Sequence, residues 1–150
     1  MPHDTDNLHD LIRQKHQCLT QMHNLGQRQL QAIQESDFGL LLKLLAAKQA
    51  LLDGLHVLER QMDPYRGETP ASRIWQSQEQ RHECAHWLDR CEALLREVVQ
   101  QELRSQEALA VLRDEAADML ELGAAATTAH SAYLQTHRPT VGELDLSAES

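Results

Sequence analysis

Apolar and polar positions alternate along the chain with helical spacing, and two breaks divide that pattern into three stretches. The first stripe runs Leu8, Leu11, Ile12, Cys18, Leu19, Met22, Leu25, Leu30, Ile33, with polar residues between. It predicts a helix over about 6–35, started by Asp4 or Asp6, whose carboxylates can cap free backbone N–H groups. Lys15 falls on the stripe, where its stem can pack while the ammonium reaches water. Gly26 lies mid-helix, at a cost of about 1 kcal/mol relative to alanine, and a close helix approach would account for it.

Glu35-Ser36-Asp37 interrupts the pattern, and both Ser36 and Asp37 are good N-caps for a second helix over 37–62. This stretch is the most apolar in the chain. Its leucines come in doublets, Leu40/Leu41, Leu44/Leu45 and Leu51/Leu52. Such a stripe is wider than a two-stranded seam needs, so the second helix is expected to be the buried middle of a bundle. A stripe through Ile33, Asp37, Leu41 and Leu44 would suit a kinked continuous helix. The widened stripe suits an αα-hairpin better. Asp63-Pro64 is expected to stop the helix, because the residue before proline avoids the α region.

Residues 63–76 read as the main loop, in which Thr69-Pro70 could cap a short turn that docks Ile74 and Trp75. Ser77 and Gln80 form a capping box that opens a long third helix over 77–135. Its stripe is dense through Cys84, Trp87, Leu88, Cys91, Leu94, Leu95, Val98 and Val99. It thins from Leu103 onward and ends near Arg138-Pro139. Residues 138–150 read as a disordered acidic tail. The expected fold is all-α: an elongated antiparallel three-helix bundle or coiled coil, one helical domain over 4–137. The third helix would be roughly 85 Å long, against about 35–45 Å for each of the others. It would therefore overhang its neighbours from about Gln106, carrying an apolar stripe that needs a partner.

Composition narrows the function. Aromatics are only 3% of 150 residues, which leaves leucine and alanine to fill the core of an all-α protein. The net charge of -9, with lysine and arginine scattered singly, argues against nucleic acid and against anionic membrane as partners. Met1 to Asp6 shows no signal-peptide pattern, and no apolar run approaches the ~18 residues of a membrane span. A cytoplasmic location is expected. Cys18, Cys84 and Cys91 suit a reducing compartment. Cys84 and Cys91, seven apart on one helix, would be about 10 Å apart, too far for a disulfide.

Candidate chemistry is sparse. His82 and His86 could face one way on a helix, but Cys84 points elsewhere and the ligand set is incomplete, so no metal is expected. His9, His16 and His23 repeat every seven residues and could form a pH-responsive edge or a plain polar rim of a packing seam. Asp114, Glu115, Asp118 and Glu121 read as a solvated face rather than a hydrolytic pair. With no nucleophile motif, phosphate loop or metalloprotease motif, the chain is expected not to be an enzyme and to need no cofactor.

Ile33, Ser36-Asp37, the leucines from Leu40 to Leu45, and Lys48-Gln49 together form a pattern. It resembles the FlgN family of flagellar type III export chaperones. That family has an Ile-x-x-Gly/Ser-Asp break between its first helices, then leucines, then Lys-Gln/Glu. The resemblance covers roughly residues 8–62 and marks a divergent member. It implies a cytoplasmic chaperone that binds the amphipathic C-terminal helix of hook-associated (hook–filament junction) proteins. Such a chaperone keeps its cargo unassembled and delivers it to the export apparatus, whose components are then further partners. The thinned stripe of the third helix is the expected contact: Leu109, Leu112, Ala116, Met119, Leu120, Ala126 and Tyr133. A helix laid there would bury anchors at i, i+3, i+4 and i+7. The competing reading is a coiled-coil scaffold that forms a homodimer through the same stripe.

Overall fold

The computed structural model describes residues 4–67 and 73–137. Among them are three helices and no strand: α1 (Asp4–Gln34), α2 (Phe38–Arg66) and α3 (Gln78–Thr136). The expected turn at Thr69-Pro70 and the acidic tail over 138–150 lie outside the described residues. The chain divides at Leu109/Ala110 into two compact units.

In the first unit the helices form an up-down-up bundle. Asn7 Nδ2 donates to the Tyr65 hydroxyl at 2.8 Å, and Cys18 Sγ lies 3.2 Å from the Leu51 carbonyl, so α1 and α2 run antiparallel. Gln80 Nε2 bonds Asp6 at 2.6 Å, and Gln101 Nε2 donates to the His23 carbonyl at 3.1 Å, so α3 runs parallel to α1. Lys48 and Glu102 pair at 2.7 Å across α2 and α3.

The reversal between α1 and α2 is chemically specific. Ser36 adopts φ 56°, the left-handed region, just past the end of α1. Its N–H bonds the Ile33 carbonyl at 3.1 Å, and the Asp37 N–H bonds Ala32 at 2.8 Å. These are the two bonds of a Schellman stop. Asp37 then caps α2, its carboxylate accepting from Leu40 N–H at 3.1 Å. Ser36 is thus the stop of one helix and Asp37 alone the cap of the next. The chain reverses and does not kink.

The buried positions reveal a stricter order than the sequence stripes suggested. On α1, Thr5, Leu8, Ile12, Leu19, Met22, Gln29 and Ile33 are buried, with Lys15 and Gly26 completing steps of three and four. On α2 the series is Leu41, Leu44, Lys48, Leu55, Met62 and Tyr65, with half-buried Leu51 and Leu58 between. On α3, Cys84, Cys91, Val98 and Ser105 are buried seven residues apart, alternating with Trp87, Leu94 and Gln101. All three helices therefore carry seven-residue seams, the pattern of a left-handed coiled coil.

This corrects the expectation that α2 is the buried middle helix. In each doublet one leucine lies on the seam or beside it, while Leu45 and the neighbouring Leu42 are exposed, Leu42 at 68%. Each helix touches both others, Lys48 of α2 reaching Glu102 of α3, and it is α1 that holds the fully buried Leu19 and Ile33. Each such side chain contributes about 1.5–3 kcal/mol by leaving water.

The expected stop at Asp63-Pro64 is also corrected, since α2 runs through Pro64 to Arg66. Proline withholds one helical N–H, but it sits on the exposed side. The next residue, Tyr65, is buried, its hydroxyl held by Asn7 and its carbonyl by Arg73 at 2.5 Å. Arg66 joins Asp63 one turn back and Glu59 two turns back. Burying a tyrosine outweighs one missing bond at a wet helix end. Of the two residues expected to dock, Trp75 packs on the core and Ile74 stays 72% exposed, although its carbonyl accepts from Thr5.

Candidate functional site

The second unit's described part is the stretch of α3 over residues 110–136. Strong helix formers build it, with eight alanines and four leucines and no proline. Local side-chain bonds decorate it: Thr127 Oγ1 donates to the Gly123 carbonyl at 2.9 Å, and Tyr133 stacks on His137 with ring centres 4.1 Å apart. Among its described residues, all from Arg113 onward are exposed.

The seven residues expected to form a contact fall into two groups. Leu109 and Leu112 are half-buried, whereas Ala116, Met119, Leu120, Ala126 and Tyr133 are exposed, Met119 at 73% and Leu120 at 75%. Leu112, Met119, Ala126 and Tyr133 stand seven apart and continue the line of Cys84, Cys91, Val98 and Ser105 along the same helix. Leu109 and Ala116 form a second line beside it, and Leu120 flanks the first on that side. Sequence reasoning missed Leu122, which is exposed and lies three heptads after Gln101 on the adjoining seam line. A strict seven-residue count, rather than a loose helical stripe, would have found it.

Electrostatically the face is bordered by acids. Asp114, Glu115, Asp118 and Glu121 are all exposed, and Arg113 reaches Asp114 at 3.4 Å. Exposure leaves these carboxylates in water, without the cleft that paired acid–base catalysis requires.

The other candidate groups lie in the first unit. His82 and His86 are exposed while Cys84 is buried, and His86 meets Trp87 edge-on at 5.8 Å. Among the described residues no three His, Cys, Asp or Glu side chains gather where they could hold a metal ion. Burial pushes the Cys84 and Cys91 thiols up to about 11, which makes them inert packing groups. His9, His16 and His23 line the α1–α3 seam. His9 faces Glu83 at 3.3 Å and His23 faces Glu97 at 3.1 Å. His16 meets Trp87 edge-on at 4.6 Å, and burial, Arg90 and His86 together lower its pKa.

A groove of about 450 Å³ opens between α2 and α3 over Leu8 and Ile12, rimmed by Lys15, Arg66, Arg73 and Arg81. Lys15 and Arg66 share the carboxylate of Glu59. No described helix is long and apolar enough to cross a membrane. Comparison with protein-family models, with curated proteins and with solved structures yields no match to this chain.

Proposed function

We propose that the protein is a cytoplasmic, non-catalytic export chaperone of the flagellar type. In this reading, residues 110–136 hold the amphipathic C-terminal helix of a hook-associated protein and keep it from assembling before delivery to the export apparatus. The observation that carries the reading is the seam of α3. The line that packs against α1 through Ser105 goes on in register through Leu112, Met119, Ala126 and Tyr133, and from Met119 those side chains are in water. An apolar seam of this length is costly to leave exposed and fits an amphipathic helix as its ligand. Met119 adds an adaptable contact, and Ala116 and Ala126 allow close approach. The Ser36-Asp37 reversal and the leucines after it supply the resemblance to the FlgN family.

The test uses a peptide spanning the C-terminal helix of a hook-associated protein. Mixing should raise helicity beyond the sum of the parts, with binding in the micromolar range or tighter. Leu112→Asp with Leu120→Asp should weaken binding at least about 100-fold, since two buried leucines contribute about 3 kcal/mol or more between them. A tight homodimer that ignores the peptide and dissociates with the same two substitutions would replace this reading with the scaffold one.

A further inference from the structure

A seven-residue seam is ambiguous by translation. Sliding α3 by one heptad along α1 again sets seam positions against seam positions, so something other than apolar periodicity must choose the register. We propose that a buried polar layer formed by Gly26, Gln29, Gln101 and Ser105, with the charged residues flanking the seam, locks α3 onto α1 in a single register.

Gln101 is the bolt and Gly26 its socket. The side chain is buried, and it lies so close over Gly26 that a Cβ there would fall 2.2 Å from Gln101 Oε1. Its Nε2 reaches the backbone of α1 at His23. The offset between the two helices is 101 − 26 = 75 residues, which places Leu94 at the level of Leu19 and Ala108 at the level of Ile33. A slide of one heptad in either direction would press Gln101 against Leu19 or Ile33, both fully buried. Neither offers the gap that Gly26 provides.

One turn on, Gln29 and Ser105 are both 1% exposed, and Gln29 Oε1 and Ser105 Oγ have no hydrogen-bond partner among the described residues. Unmet polar atoms in a seam lower stability, and such positions are where coiled coils gain uniqueness of register. Ser105 is small, and a one-heptad slide of α3 toward α1's N-terminus would put the larger Leu112, seven residues later, in its place.

The charges beside the seam agree with the lock. On α3 the line of residues facing the α1 histidines alternates in sign, Glu83, Arg90 and Glu97, and Arg104 continues it one heptad on. In the observed register the acids meet His9 and His23, while His16 turns its ring to Trp87 with Arg90 and His86 nearby. A one-heptad slide of α3 toward α1's N-terminus would set Arg90 against His9 and Arg104 against His23. None of this depends on the cargo reading. The lock would hold whether or not a flagellar protein binds.

Disulfide trapping in the full chain reads the register directly. His23→Cys with Glu97→Cys reports the observed register, and His23→Cys with Arg104→Cys reports the slid one, bonds being mapped by mass spectrometry. With the parent layer, only the 23–97 bond should form. In Gln29→Leu/Gln101→Leu/Ser105→Leu, the 23–104 bond should rise at least about tenfold while helicity persists. Because that core variant could lose its fold, Glu83→Arg/Arg90→Glu tests the same idea from the surface and should raise the 23–104 bond too. A 23–104 bond in the parent, or none in any variant that keeps its helicity, would overturn the proposal.

Discussion

Ser36 holds its left-handed φ of 56° without the freedom glycine would have. Its backbone bonds are what the turn needs, and its side chain is exposed. Ser36→Gly should therefore stabilise the protein by about 0.5–1 kcal/mol, read as a higher urea midpoint with unchanged slope. Gly26 presents the opposite case. Alanine there would gain about 1 kcal/mol of helix propensity but displace the Gln101 amide from His23 and leave it buried without a partner, which costs about 1–3 kcal/mol. Gly26→Ala should be net destabilising. Adding Gln101→Ala should return much of the loss, because the clash and the stranded amide disappear together. A double-mutant cycle that shows simple additivity would contradict the Gly26–Gln101 fit.

At the scale of the element, α1 carries a histidine, His16, whose protonation is linked to the fold. His16 is held below its ordinary pKa of 6.5 by burial, then by Arg90 and His86, with Arg13 and Arg90 also lying over the Trp87 ring it touches. A histidine whose folded pKa is depressed is neutral in the native state where the unfolded chain already binds a proton. Its contribution is complete above about pH 6.5 and falls as pH drops from there toward the folded value. Between pH 7.5 and 5.5 the parent should lose more stability than His16→Gln, compared by urea unfolding. The comparison isolates His16 from His9 and His23, which face carboxylates. Equal losses in both proteins would place the pH sensitivity elsewhere.

The elements themselves were largely legible in the sequence, because spacing and capping residues act locally. Ser77 Oγ accepts from Gln80 N–H as the capping box foretold. The Gln80 side-chain Oε1, however, accepts from Gln76 N–H and not from that of Ser77. Pro64 was misread for a long-range reason: only the burial of Tyr65 against α1 shows why the helix continues. The doublets of α2 misled similarly. Hydrophobicity marks what can be buried, whereas position on a seven-residue line decides what is. Leu42 is as apolar as Leu41 and faces water. The polar layer was illegible beyond the oddity of Gly26, since its meaning lies in a glutamine 75 residues away.

For the whole molecule, a net charge of -9 on a chain of 150 residues favours solubility and disfavours phosphate-rich partners. The first unit uses its apolar seams on itself, and the second leaves its own in water. The candidate face was partly legible in sequence because thinning of the stripe marks where burial stops. Its membership was less so, with Leu122 omitted and Leu109 and Leu112 already half covered.

If a helix docks along α3 as proposed, the seven-residue count there bears on what that helix must look like. An untwisted α-helix drifts about 20° per heptad from a strict seven-residue line, so over the 21 residues from Leu112 to Tyr133 the two diverge by about 60°. A peptide that is merely hydrophobic would touch Leu112 and be turned about 60° off the line by Tyr133. Only one able to supercoil left-handed, with its own anchors recurring every seven residues, follows the line to its end. Under the proposed function, what this face would discriminate is therefore pitch: the repeat length written into a partner's sequence, ahead of how greasy that sequence is.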